Sequence, residues 1–228
     1  MERLPDNFRY EKKFFLENSS KKELEMVIKT HPAHFSLIHS PRQINNIYFD
    51  TPFFTNYQDN VDGNTFRKKY RIRWYGETFG PIKAPVLEIK VKQGRVGDKL
   101  TFPLNAFDFQ TSTNGIFISD LINQNRLDET IKLEIKNQIP VLMNSYQRVY
   151  YQSLDKKLRL TLDNNQRFYK INRLRNNLVN SLKDNSSMIV ELKYTVQDEE
   201  YVNDILKYFP YSLTKSSKYA RGVDLIYL

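Results

Sequence analysis

Between Phe66 and Tyr75, Arg67, Lys69, Arg71 and Arg73 alternate with Lys68, Tyr70, Ile72 and Trp74. Read with a period of two, the first four share one face of a strand, and the others make a mostly apolar opposite face. β-Branched and aromatic residues favour a strand here, which would set the cations roughly 7 Å apart in a row. Water, facing carboxylates or a bound polyanion could each offset the repulsion along that row. The pattern recurs. Arg9, Glu11 and Lys13 share a face, as do Glu88, Lys90 and Lys92 opposite Leu87, Ile89 and Val91. Arg159, Thr161 and Asp163 oppose Leu158, Leu160 and Leu162, and Ile189, Glu191 and Lys193 oppose Val190, Leu192 and Tyr194. These are residue types suited to phosphate. Arginine's planar fork bridges two phosphate oxygens, lysine supplies a compact mobile charge, and a carboxylate offers hard oxygen to Mg2+ or Mn2+.

The composition agrees with such a partner. The 228 residues are 40% hydrophobic and 14% aromatic, which describes a folded chain, and the formal charge of +9 suits a polyanion: nucleic acid, acidic membrane or polyphosphate. The chain has no cysteine, so disulfides and thiolate metal sites are excluded. His31, His34 and His39 all lie in one early segment, which argues against a histidine metal site. No signal-peptide apolar region is seen, and no apolar run approaches the ~20 residues needed to span a membrane. A single cytoplasmic domain over residues 1–228 is expected, without internal repeat or domain boundary.

The elements that would hold these residues follow in order. A strand over Phe8–Leu16 precedes a helix capped at Asn18-Ser19-Ser20, with Glu23 in capping-box position and Leu24, Val27 and Ile28 as its stripe. It ends near His31-Pro32. Asn45–Asp50 reads as a short strand, and Phe53, Phe54 and Tyr57 as packing from a loop or short helix. Asp62-Gly63-Asn64 turns into the arginine strand. Val86–Lys92 and Lys99–Phe102 read as a hairpin through Gly94 and Gly97-Asp98. Helices are expected at 118–122 and 127–135. Strands follow at 144–151, 157–163 and 186–194, with a turn at Asn164-Asn165. A helix after Asp198 carries Val202, Ile205 and Leu206, and a capped helix closes the chain from about Lys215.

Strand after strand thus offers one apolar face and one face of Lys, Arg and Glu. A flat sheet could leave that face in water. A closed antiparallel barrel could turn it inward as a polar tunnel, with helices on the apolar exterior and glutamates easing an otherwise cationic lumen. Periodicity alone does not choose between them.

The landmarks together resemble the catalytic domain of the vacuolar transporter chaperone (VTC) polyphosphate polymerases, within the CYTH or triphosphate tunnel metalloenzyme superfamily. They are Arg9-x-Glu11-x-Lys13, Ile47-Tyr48-Phe49-Asp50-Thr51, Arg71-Ile72-Arg73-Trp74-Tyr75-Gly76 and Leu87-Glu88-Ile89-Lys90. Tyr146-x-Arg148, Leu158–Asp163, Glu191-Leu192-Lys193-Tyr194 and Lys215-x-Ser217-Lys218-Tyr219 complete the set. Each is weak alone; their colinear order spans nearly the whole chain. The resemblance implies an α+β fold: a closed antiparallel β-barrel of about eight strands forming a polar tunnel, with helices packed outside and a C-terminal helix. It implies that Lys13, Arg71, Arg73, Lys90 and Arg148 contact phosphate, with Arg67, Lys69, Lys99, Arg159 and Lys193 extending the same faces. Glu191 would bind Mn2+ or Mg2+, helped by Glu11 and Glu88. Lys215, Ser217 and Lys218 would touch the phosphates at the reacting group, alongside Arg71 and Arg73.

The implied activity is transfer of the γ-phosphate of ATP onto a polyphosphate or pyrophosphate end, with ADP released. This asks for positioning and charge neutralisation, not a side-chain nucleophile. A hydrolase of tripolyphosphate or nucleoside triphosphate is the alternative on the same scaffold. Against it, Arg9 stands where the hydrolases' Glu-x-Glu-x-Lys motif begins. A non-catalytic polyphosphate or nucleic-acid binder is a third reading. Nucleic acid is not expected, because cations and aromatics segregate to opposite faces where single-strand binding would interleave them. A separate membrane partner would be needed for any translocation. Plainer roles exist for the same residues: the three glutamates as ion-pair partners, Asp163 as partner of Arg159, Lys218 and Arg221 as solvated charges, and Tyr48, Phe49, Trp74 and Tyr75 as packing.

Overall fold

The computed structural model describes residues 9–94, 96–110, 116–172 and 178–228, the side chains of 9, 96 and 116–119 excepted. The Arg9 side chain therefore lies outside the described residues. The chain divides into two compact units: residues 1–42, 146–166 and 184–216 in the first, and 43–145, 167–183 and 217–228 in the second. The architecture is α+β. The elements in order are β1 (Arg9–Glu17), α1 (Lys21–Thr30), β2 (Ser36–Asp50), α2 (Thr55–Asp62), β3 (Phe66–Tyr75), β4 (Gly80–Ile82), β5 (Val86–Gln93), β6 (Val96–Pro103) and β7 (Phe107–Phe109). There follow α3 (Ile116–Asn123), α4 (Glu129–Lys136), β8 (Ile139–Gln152), β9 (Arg159–Ile171), β10 (Leu178–Asp184), β11 (Ser187–Thr195), α5 (Glu199–Leu206) and α6 (Lys218–Tyr227). The hydrogen-bonded order is β1-β11-β9-β8-β2-β3-β5-β6, with β10 on β9. It is a path with two ends, so the ring of pairings that a closed barrel requires is not among the described residues.

In the first unit, β1 pairs antiparallel with β11, and β11 with β9, in a register that places Lys13, Glu191 and Thr161 side by side. Alternation then puts Phe14, Leu16, Leu160, Leu162, Val190 and Leu192 on the other face. That face packs against Leu24 and Ile28 of α1 and Val202 and Ile205 of α5 in one buried cluster. Burial of such aliphatic side chains stabilises by about 1.5–3 kcal/mol each.

In the second unit, β3 pairs antiparallel with β2 and β5, and β5 with β6. The arginine strand is therefore interior to its sheet, not a solvated edge. Its apolar residues Tyr70, Ile72 and Trp74 are buried with Leu87, Ile89 and residues of α3 and α4, including Ile122 and Ile131. The last helix packs differently. Tyr48 is the register partner of Arg71 and so shares its face, and Tyr219 of α6 stacks on Tyr48 with centroids 5.2 Å apart. Helix α6 thus lies on the charged face of the second unit's sheet. Gly222 permits this close approach, since a Cβ there would run into Leu142 Cδ2 and sit 2.7 Å from Phe168 Cδ1.

Several local expectations change. β2 and β8 are longer than expected, and the small pair β4–β7 and strand β10 add to the expected set. Asn164-Asn165 is no turn, because β9 runs through it. Asn165 takes φ 50° within the strand, a conformation asparagine tolerates, and its side-chain amide donates to Gln147 Oε1 at 3.0 Å. Tyr57 is buried as expected, but Phe53 is 88% exposed and does not join the core.

Candidate functional site

The second unit carries a basic face built by register. Arg67 and Lys92 lie opposite one another on β3 and β5, as do Lys69 and Lys90, and Lys90 in turn opposes Lys99 on β6. Directly opposed residues on paired strands are about 5 Å apart at Cβ, and like charges so placed are destabilising. One row along, Arg71 opposes Glu88. The buried Glu88 carboxylate accepts from Arg71 Nε at 2.6 Å, and lies 3.5 Å from Arg73 and 3.0 Å from Lys99 Nζ. Burial alone would raise the Glu88 pKa. The charges of Arg71, Arg73 and Lys99 outweigh it and hold the carboxyl down to about 2. Arg73 also donates from Nε to Asn46 Oδ1 at 2.9 Å, and Asn46 is tied to Asn144 at the same distance. These contacts fix the guanidinium groups before any ligand arrives.

Helix α6 brings its N-terminus to this face. Ser217 is its N-cap: Oγ accepts from Ala220 N at 3.3 Å, and Lys69 Nζ donates to the same Oγ at 2.8 Å. Lys218 is the first helical residue. A helix N-terminus presents unpaired N–H groups and a partial positive charge, which favours anions. Of the predicted site residues, Arg67, Lys69, Arg71, Arg73, Glu88, Lys90, Lys99, Ser217 and Lys218 therefore lie together in the second unit.

The first unit holds a mixed cluster. Lys13 Nζ sits 2.6 Å from Glu11 and 3.3 Å from Glu191, and donates to Ser216 O at 3.2 Å. Burial disfavours the Lys13 ammonium, yet the two carboxylates raise its pKa well above the ordinary lysine value. Lys193 approaches Glu191 at 3.6 Å and Glu11 at 3.9 Å. Arg148 forks onto the fully buried Asp163, at 2.5 Å from Nε and 2.6 Å from Nη2, and lies 3.6 Å from Glu191. Asp163 therefore pairs with Arg148 and not with Arg159. Arg159 and Lys215 are exposed.

The divalent metal implied by the resemblance can be tested against these residues. Among the described residues, no three His, Cys, Asp or Glu side chains are placed to hold a metal. Glu11 and Glu191 do converge on a single cationic nitrogen. The hydroxyl of Thr161, register neighbour of Glu191, is buried without a hydrogen-bond partner. Two carboxylates and one orphan oxygen fit a Mg2+- or Mn2+-type ion whose remaining ligands come from phosphate or water. Glu88 fits that role less well: its register neighbours are Arg71 and Thr101, so no second carboxylate stands beside it, and Arg71 is bonded to it at 2.6 Å.

The sequence reading placed Lys92 on a charged face without giving it a phosphate role, and missed Asn46 and Asn144 as parts of the basic face and Thr161 beside Glu191. Lys92 was legible from the alternation. The asparagines were not, because Asn46 and Asn144 are neighbours only through the sheet.

Comparison with known proteins adds to this geometry. The family model described as the VTC domain matches residues 8–227. No curated protein matches significantly. Three solved structures share the fold: a protein from Pyrococcus horikoshii OT3 (11% identity, TM-score 0.54, covering 96% of this chain and 99% of that one), the putative adenylyl cyclase HpAC1 from Hippeastrum, described as having a dominant triphosphatase activity (17%, 0.53, 96% and 98%), and a putative adenylate cyclase from Vibrio parahaemolyticus (13%, 0.53, 95% and 98%).

Proposed function

The chain belongs to the VTC domain family, and from that premise we propose that it is a polyphosphate polymerase drawing phosphate from ATP. One observation supports this most: Lys69, Lys90 and Lys99 stand opposed across three neighbouring strands, one row from Arg71, a concentration of positive charge suited to a triphosphate. In this reading the row, with Arg67, Arg71 and Arg73, neutralises the triphosphate. Ser217 and Lys218 attend the reacting end; family resemblance gives Lys215 the same role, and Lys13, Arg148, Arg159 and Lys193 the binding of phosphate. The closed polar tunnel belongs to the same reading.

The reaction needs little covalent help. A terminal oxygen of the polyphosphate chain attacks the γ-phosphorus of ATP, the bond from that phosphorus to the β-bridging oxygen breaks, and ADP leaves with the bond's electrons. Glu191, with Glu11 and Thr161, would hold a Mn2+ or Mg2+ ion, which when bound neutralises charge on phosphate oxygens. Arg71 and Arg73 are held in place by Glu88 and Asn46, so they meet the substrate without reorganising.

Hydrolysis is the second reading, favoured by the triphosphatase activity described for the Hippeastrum neighbour. Incubation with ATP and Mn2+ separates the two. Long chains on a gel, abolished by Lys218→Ala or Arg71→Ala, support the polymerase; free phosphate without chains supports the hydrolase.

A further inference from the structure

Asp50, the last residue of β2, is fully buried on the side of the sheet that carries Arg71. Its Oδ1 accepts the backbone N–H of Thr51 at 2.7 Å and of Asn56 at 2.8 Å. Its Oδ2 accepts the N–H of Tyr57 at 2.9 Å and the hydroxyl of Tyr219. Tyr219 directly follows Lys218 in α6. Its ring lies on Tyr48, with an interplanar angle of 29°, and the Tyr48 hydroxyl accepts from Arg71 Nη1 at 3.5 Å. Tyr57, whose amide Asp50 holds, donates its own hydroxyl to Asp224 further along α6 at 2.5 Å.

One carboxylate on a rigid strand end is thus tied to both halves of the basic face. It reaches the first turn of α6 through Tyr219, and Arg71 through the ring of Tyr48. We propose that Asp50 is a positioning residue for phosphoryl transfer: through Tyr219 it fixes where Ser217 and Lys218 stand against Lys69, and through Tyr48 it sets the guanidinium of Arg71. This rests on the activity proposed above. Helix ends fray, and the first turn of α6 carries the groups nearest the reacting end in that reading. Reaction rates fall steeply when such groups are misplaced by about an ångström. Anchoring the turn to a strand, and not to a loop, removes that freedom.

The test is Tyr219→Phe, which deletes the hydroxyl and keeps the stacked ring and the amide bonds to Asp50. Tyr57→Phe loosens the same helix from its other tether and serves as a second variant. Expected for Tyr219→Phe is a kcat about tenfold lower in polyphosphate synthesis, KM for ATP within twofold of wild type, and a melting temperature lower by only a few degrees, as for the loss of one buried hydrogen bond. The Arg221 amide, which donates to Ser217 O at 2.9 Å, should exchange with deuterium faster. Combined with Ser217→Ala, Tyr219→Phe should lower kcat no further than the worse single variant, because both act through one helix turn. An unchanged kcat, fully additive losses, or a rise in KM alone would overturn the proposal. Wild-type protein in the same assay judges the activity separately: if it makes no chains, the polymerase reading fails, and the positioning role with it.

Discussion

Glu88 is the residue on which the basic face turns. Its carboxyl is held down to about 2, against an ordinary value of 4.5, by Arg71, Arg73 and Lys99 in opposition to its burial. A depressed carboxylate contributes stability that is fully present above its unfolded pKa and is lost as pH falls through the folded one. The contribution therefore disappears between about pH 4.5 and about pH 2, and its size is on the order of 3 kcal/mol. Glu88→Gln should be less stable than wild type at neutral pH and lack this part of the acid slope, so that the two converge near pH 2. Chemical denaturation across that range measures it; parallel pH curves would show that Glu88 does not carry the charge coupling assigned to it.

At the scale of elements, α6 decides whether the site is assembled. Gly222 faces Leu142 and Phe168 with no room for a methyl group. Gly222→Ala should cost about 1–3 kcal/mol by overpacking and lift the helix from the sheet, reducing activity more than Ser217→Ala does. Ser217→Ala loses one cap, worth about 1 kcal/mol, and one lysine contact. Melting temperature and turnover measured on both variants check the order. This docking was not legible in the chain, although a capped closing helix was, expected from about Lys215 and found from Lys218. The Tyr219 to Asp50 bond joins residues 169 positions apart. Strand faces were readable because alternation is a local property: the apolar and basic faces of β3 are those the spacing implied. What failed was local punctuation. Asn164-Asn165 resembles a turn in composition but sits inside β9, which runs on to Ile171, with the Asn165 side-chain amide bonded to Gln147. The three-residue strands β4 and β7 are too short to show a period at all.

Over the whole molecule, a net charge of +9 is distributed unevenly. The second unit's face gathers Arg67, Lys69, Arg71, Arg73, Lys90, Lys92 and Lys99 around the carboxylate of Glu88. The first unit balances Lys13, Lys193 and Arg148 with Glu11, Glu191 and Asp163. Binding of long polyphosphate should therefore be dominated by the second unit and by charge. Its affinity should fall at least tenfold between about 0.05 and about 0.2 M salt, and Lys90→Ala should flatten that dependence more than Lys193→Ala does. Titration of labelled polyphosphate at several salt concentrations gives both slopes; equal effects of the two variants would count against the division of labour.

Everything proposed for the basic face depends on the γ-phosphate of ATP passing to a growing chain. That transfer is tested most directly by supplying ATP labelled at the γ-phosphate, with Mn2+, and following the label. Label should enter long chains, with ADP appearing in equal amount and little labelled free phosphate. Label released wholly as free phosphate, with no chain formed at any ATP concentration, would contradict the transfer.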